Sequence, residues 1–235
     1  IEELIEKCDL LETQTSGFDN LSDLIIQLNK KLNLVIERLE KLSIKIRKNR
    51  FSSIEIIRKN ILQTLAQLGM ENSQLNIQLN ETTDFTATGK DEVLFLFSAN
   101  KGMEPRVFEK SVSGGERSRL MLAIKKLLAT HTHLPTLILD EIDTGISGKV
   151  ANETGKVMQT MADNMQLLVI THLPQVASKG NHQLKVYKEV INETTQTNVI
   201  ELTQEQRLAE IAQMISGSEL TEAAINQAKE LMNLN

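Results

Sequence analysis

With 235 residues, 40% hydrophobic and 24% charged, the chain holds enough apolar material for one or two packed domains. Aromatic residues make up 3%, with one Tyr and no Trp, which argues against a surface that stacks nucleic-acid bases. The net charge of −5 gives no overall electrostatic reason to bind DNA, so any such contact must come from local patches or from polypeptide outside these residues.

Cys8 is the only cysteine, which excludes an intramolecular disulfide and a Cys-rich metal site. No apolar run reaches the ~20 residues of a membrane span, and no basic-then-apolar leader is present. The chain opens at Ile1 rather than Met, as a piece of a longer protein would. A cytoplasmic, nucleoid-associated location is the expectation, with no membrane partner.

Leu4, Ile5, Leu10 and Leu11 predict a short first helix, and Thr15-Ser16-Gly17-Phe18-Asp19-Asn20 reads as a break near 13–20 with Asp19 or Asn20 as a cap. From Leu21 the periodicity is that of a coiled coil. Leu21, Ile25, Leu28, Leu32, Val35, Leu39, Leu42 and Ile46 alternate steps of four and three, an a/d seam. Two steps of four through Arg50 to Ile54 make a stutter, after which Ile57, Ile61, Leu65 and Leu68 resume the pattern. Residues 1–68 are thus expected to form a coiled-coil arm, with the stretch from 21 to 68 reaching ~70 Å. Its seam requires a second segment: either a second copy or a missing N-terminal arm would serve. Basic residues spread along this arm read as a solvated face, with DNA contact as the alternative.

Residues 69–235 change texture and form the expected second domain. Leu75, Ile77 and Leu79 alternate with polar residues, and 93–97 is a β-rich run. A helical pattern follows from Gly114 to about Thr130, then an aliphatic strand at 136–139 ending on Asp140, a helix over 149–161, and a buried strand at 167–170. A strand pair is expected at 183–190 and 197–202. Thr203 and Gln206 form a capping box that opens a helix, and a last helix runs over 221–231. Continuous aliphatic strands alternating with helices indicate an α/β layer with a mainly parallel sheet and flanking helices.

Three local patterns carry chemistry. Ser113-Gly114-Gly115-Glu116 stands where a helix begins, so free N–H groups and the helix dipole would suit a phosphate, or simply make a capped turn. Leu137-Ile138-Leu139 delivers Asp140 and Glu141 at a strand end. That is the Walker B arrangement, in which the first carboxylate serves Mg2+ and the second activates a water; a solvated acidic loop is the plainer reading. His172 lies two residues past the next buried strand, placed either to hold a γ-phosphate and the attacking water or as a structural imidazole. His131-Thr132-His133, at a helix end before Pro135, is read as dipole-favoured rather than metal-binding. No G-x-x-x-x-G-K-[ST] phosphate loop occurs in the sequence.

In order and spacing these three patterns, fed by a long heptad arm, resemble the C-terminal part of the head of the SMC, Rad50 and RecN group of ATPases. The stretches 111–119, 140–148 and 171–177 are most similar to its RecN branch, as are 217–219 and the closing Ala-Lys-Glu-Leu. The resemblance covers nearly everything after about residue 90.

It implies an ABC-type ATPase lobe that binds ATP and Mg2+ and pairs with an N-terminal P-loop lobe of the same protein. It also implies a homodimer through ATP-engaged heads, and through the coil as well, with a role on DNA in recombinational repair of double-strand breaks. By the same resemblance Ser113, Gly114, Gly115 and Glu116 form the signature motif that meets ATP on a partner head. Asp140 serves Mg2+, Glu141 is the general base and His172 the switch residue. Ser147 occupies the D-loop position where most heads carry Asp. The rival readings are a chromosome-organising ATPase of the same group, a transporter ATPase, and a structural coiled-coil protein whose head does not hydrolyse ATP. A transporter subunit has no heptad arm feeding its signature lobe.

Overall fold

The computed structural model describes residues 1–108, 113–132, 134–140, 142–191, 194–217 and 219–234, with the side chains of 10, 12–20 and 191 outside that description. Helix α1 (Glu2–Gln67) is one element of 66 residues, about 100 Å long. The break expected near 13–20 is not there: the helix passes through Thr15–Asn20 uninterrupted. A single interior Gly costs only about 1 kcal/mol against Ala, and the stretch has no Pro, so a long helix carries the turn-like residues.

The chain divides into two compact units. One comprises residues 1–54 with 78–94. In it the seam residues Leu21 to Leu42 are exposed. The outer parts of β1 (Gln74–Thr86) and β2 (Gly89–Ser98) lie against α1 and are fixed by charge. Arg47 Nε and Arg50 Nη1 stand 3.3 and 3.0 Å from the two carboxylate oxygens of Asp91, which is almost fully buried. Arg50 also donates to the Thr88 carbonyl at 2.7 Å, Arg47 pairs with Glu81, and Lys90 lies 2.8 Å from Glu40. The stutter therefore has a local cause. Arg50, the polar residue in the hydrophobic repeat, faces a β-turn instead of a helix.

The other unit comprises residues 55–77 and 95–235. The end of α1 buries Ile61, Leu65 and Leu68 in it. Strand β3 (Arg106–Val107) pairs antiparallel with β2. Helix α2 (Gly114–Thr132), β4 (Thr136–Asp140), α3 (Gly148–Ala162) and β5 (Gln166–Ile170) then follow. β4 and β5 are parallel, joined through α3, with Leu139 paired to Val169 and Asp140 to Ile170. The α/β class thus holds: among the described residues a parallel pair and antiparallel strands are flanked by helices. Leu137, Leu139, Leu167 and Val169 face a core completed by Leu122, Val157 and Met161. The opposite face is open and apolar: Ile138 is 60% and Ile170 57% exposed.

After the short α4 (Pro174–Ala177), β6 (Leu184–Ile191) and β7 (Thr194–Glu201) form an antiparallel hairpin. Helices α5 (Gln204–Ser216) and α6 (Glu222–Met232) pack on each other through Ile211, Ala212, Ala224 and Ala228. The Thr203–Gln206 capping box forms as the sequence predicts, each partner accepting from the other's backbone N–H.

Candidate functional site

Two hydrophobic strands end side by side, and the polar residues that follow them are brought together. In the parallel register Asp140 is level with Ile170, so His172 lies two residues beyond Asp140's partner at the same sheet end. Sheets of this kind bind ligands at that edge. Asp140 is exposed and shares the open face with Ile138 and Ile170. Glu141 lies outside the described residues.

The loop after β4 is held from two sides. Ile142 and Ile146 are buried, and so is Asp143, at 1% exposure. The Thr171 hydroxyl donates to Oδ2 of Asp143 and itself accepts the Leu173 N–H at 3.0 Å. Oδ1 of Asp143 is buried without a hydrogen bond among the described residues and lies 3.8 Å from Nδ1 of His172, whose side chain is 71% exposed. A buried carboxylate oxygen without a donor is costly, and the imidazole is a neighbouring group able to satisfy it. Asp143 was not singled out in the sequence. The available signal was Ile142 and Ile146, two large aliphatics inside a loop, which mark a loop that is packed rather than solvated.

On its other side the same loop touches the start of α2. A Cβ added at Gly115 would sit 3.2 Å from the Thr144 carbonyl and 3.7 Å from the Gly145 Cα. Gly145 has φ +75°, the left-handed region that favours glycine, and is closed off by Gly115 in return. A side chain at Gly115 would therefore need the Thr144 carbonyl to give way by a few tenths of an ångström. Gly114 has open space beside it. The Glu116 carboxylate accepts the Ser113 N–H at 3.0 Å, half of a capping box, while the exposed Ser113 hydroxyl has no hydrogen bond among the described residues. Arg119 donates to the Gly115 carbonyl at 3.1 Å and to the Leu68 carbonyl at 3.2 Å, which ties the first turn of α2 to the end of α1. The loop after β4 thus lies between Gly115 on one side and, 3.8 Å from Asp143, the His172 ring on the other.

Ser147 is the exposed N-cap of α3, with no side-chain capping bond. His131 is absorbed locally, its Nδ1 lying 2.9 Å from the Leu127 carbonyl, and His133 is outside the described residues. Cys8 is exposed. No helix among the described residues is long and apolar enough to cross a membrane.

No protein-family model matches the chain. The DNA repair protein RecN of Haemophilus influenzae is 35% identical over 237 residues, covering 99% of this chain and 42% of that protein. This chain is a homologue of the RecN proteins. RecN of Vibrio cholerae is 36% identical and RecN of Halalkalibacterium halodurans 33%, over 98% and 100% of the chain. The chain spans about two fifths of the length of these RecN relatives. In fold it is similar to SMC heads. An Smc head domain with a coiled coil and joint from Pyrococcus yayanosii superposes with a TM-score of 0.61 at 17% identity, covering 81% of this chain and 35% of that one. An Smc head with an extended coiled coil from Pyrococcus furiosus gives 0.56 at 17%, covering 92% and 53%.

Proposed function

We propose that residues 69–235 are the C-terminal lobe, and residues 1–68 one arm, of an SMC-like ATPase acting in recombinational repair of DNA. The observation that carries this reading is the parallel pairing of Asp140 with Ile170, which sets Asp140 and His172 at one sheet end. Kinship with RecN supports the repair role. Asp140 would hold Mg2+, Glu141 would act as general base on the attacking water, and His172 would hold that water or the γ-phosphate. Ser113, Gly114, Gly115 and Glu116 would meet ATP bound to a second head, with Ser147 in the loop that crosses between heads.

The residues present fit both groups. A hard carboxylate oxygen at an open strand end suits Mg2+, which takes one or two protein carboxylates and completes its shell with phosphate oxygens and water. The metal, when bound, would neutralise phosphate charge. The unbonded Ser113 hydroxyl and the open side of Gly114 leave room for a phosphate at the start of α2.

The triphosphate cradle would come from polypeptide outside residues 1–235. Two features support that: the sequence has no P-loop, and the apolar face that carries Asp140 is uncovered. A two-stranded sheet with one bare aliphatic face is not an independently stable layer. An N-terminal lobe of the same protein would cover it, and two such heads would close around ATP and open on hydrolysis, in the cytoplasm on nucleoid DNA. The test is ATP turnover with the N-terminal lobe supplied in trans. Glu141→Gln should abolish turnover while leaving the lobes associated. Turnover unchanged by that substitution would overturn the assignment of the base.

A further inference from the structure

Two arginines stand near the start of α2, and the fold uses them differently. Arg119 is half-buried, and its guanidinium donates to the carbonyls of Gly115 and Leu68. Arg117 is exposed, and its side chain has no hydrogen bond or ion pair among the described residues. Its guanidinium carbon lies 6.0 Å from the centre of the Phe108 ring, a half-buried residue just after β3. At that distance the ring holds the cation weakly and leaves all of its N–H donors free.

Position on the helix decides where those donors can go. The Arg117 N–H donates to the Ser113 carbonyl at 2.9 Å, so helical geometry extends back to Ser113. Residues four apart share a face, here about 6 Å apart along the axis. Helix side chains lean toward the N-terminus and cover the turn before their own Cα. Arg117 therefore serves the end of α2 at which the Ser113 hydroxyl is unbonded and Gly114 has open space. The adjacent acid does not neutralise it, because the Glu116 carboxylate accepts the Ser113 N–H at 3.0 Å. A planar, permanently charged fork with free donors matches phosphate oxygens two at a time.

We infer that Arg117 is a further catalytic residue, donating to the γ-phosphate oxygens of ATP held on a second head. This role rests on the ATP reading above and adds to it a residue outside Ser113–Glu116. As water attacks the γ-phosphorus, the bond to the ADP oxygen breaks and Glu141 takes the proton of the water. Charge moves onto the departing oxygen while the oxygens of the transferred group keep theirs, and Arg117, protonated throughout, stabilises that distribution. Its weak hold on Phe108 keeps the guanidinium near the start of α2 and lets it shift toward the phosphate.

The test is ATP turnover with the N-terminal lobe supplied, comparing Arg117→Ala, Phe108→Leu and Glu141→Gln with the unsubstituted chain. Arg117→Ala should lower kcat at least about 100-fold without moving the unfolding midpoint, because the side chain is exposed. The KM for ATP should change by less than about threefold, since the phosphates are cradled by the other head. Added guanidinium should restore part of the lost turnover, and Phe108→Leu should stay within about threefold of the unsubstituted chain. Mixing Arg117→Ala with Glu141→Gln, each slow alone, should recover turnover: in a mixed dimer one site receives Arg117 from one head and Glu141 from the other. Phe108→Leu as slow as Arg117→Ala, with no rescue by guanidinium, would reduce Arg117 to a brace for β3. Full turnover by Arg117→Ala, or no recovery on mixing, would likewise overturn the inference while leaving the ATP reading intact. Full turnover by Glu141→Gln would overturn the ATP reading itself.

Discussion

Nδ1 of His172 lies 3.8 Å from Oδ1 of Asp143, a carboxylate oxygen that is buried and accepts no hydrogen bond among the described residues, while Oδ2 of the same group is taken by Thr171. That separation is just beyond hydrogen-bond range, so a small rotation of the exposed imidazole closes it. Closing that gap would put the imidazole proton on Nδ1, toward Asp143, and leave Nε2 facing outward. Asp143→Asn should keep the Thr171 contact and the fold but, on the proposed function, lower ATP turnover measured with the N-terminal lobe supplied by roughly 10- to 100-fold. Nitrogen-15 spectra of His172 should show a changed tautomer. An unchanged tautomer together with normal turnover would leave Asp143 a purely structural residue. Asp143→Ala, which also strands the Thr171 hydroxyl, should cost about 1–3 kcal/mol in denaturant unfolding.

Gly114 and Gly115 separate packing from ligand contact. Gly115→Ala sets a Cβ 3.2 Å from the Thr144 carbonyl, so α2 and the loop after β4 must part. Overpacking of that kind costs roughly 1–3 kcal/mol, and the midpoint of unfolding should fall accordingly. Gly114→Ala meets no atom of the described residues within 4 Å and replaces Gly in a helix, so stability should hold or rise by a few tenths of a kcal/mol. If, as proposed, a phosphate of ATP packs on Gly114, ATP turnover with the N-terminal lobe supplied should nevertheless fall at least tenfold. A stable Gly114→Ala enzyme with full activity would remove Gly114 from the nucleotide site.

Much of this arrangement is legible in the residues themselves. β4 and β5 stand out because buried parallel strands must be aliphatic without interruption, and that also fixes where Asp140 and His172 emerge. The Thr203 capping box is readable because two side chains and two backbone amides satisfy one another locally. The rest depends on partners far along the chain. Thr15–Asn20 carries turn chemistry, yet helix neighbours on both sides outweigh it. Arg50 breaks the heptad pattern for a reason that lies about forty residues away, in Asp91 and the Thr88 carbonyl. Asp143 is one acidic residue among several until Thr171 is brought across the sheet to it.

Arg119 joins the start of α2 to the turn that follows α1. Its guanidinium bonds the carbonyl of Leu68, at the end of the last turn of α1, and the carbonyl of Gly115 in the first turn of α2. Helix-end carbonyls need such donors, and a charged donor here contributes about 1.5–3 kcal/mol. Arg119→Ala should therefore speed amide exchange in residues 65–70 and at the start of α2, while β6 and β7 exchange as before. Arg119→Lys, which reaches only one of the two carbonyls, should fall between. Uniform exchange changes across the whole unit would mean that the link is general packing and not a specific tie.

Asp91 holds the β1–β2 turn on the arm. Its side chain is 3% exposed and is clasped by Arg47 and Arg50, each still partly in solvent. Removing the shared carboxylate leaves two guanidinium groups facing a β-turn, so Asp91→Ala should destabilise this unit by on the order of 3 kcal/mol. Asp91→Asn keeps the shape and one acceptor oxygen but turns an NH2 donor toward the other guanidinium, so its cost should be smaller than that of Asp91→Ala. Glu81→Ala, at an exposed pair with Arg47, should cost under about 1 kcal/mol. Hydrogen exchange reads this directly: in Asp91→Ala the amides of residues 78–94 should lose protection while those of α3 and β5 do not. Retained protection across 78–94 would show that apolar contacts such as Gly89 against Ile46, not the arginine clasp, seat the hairpin.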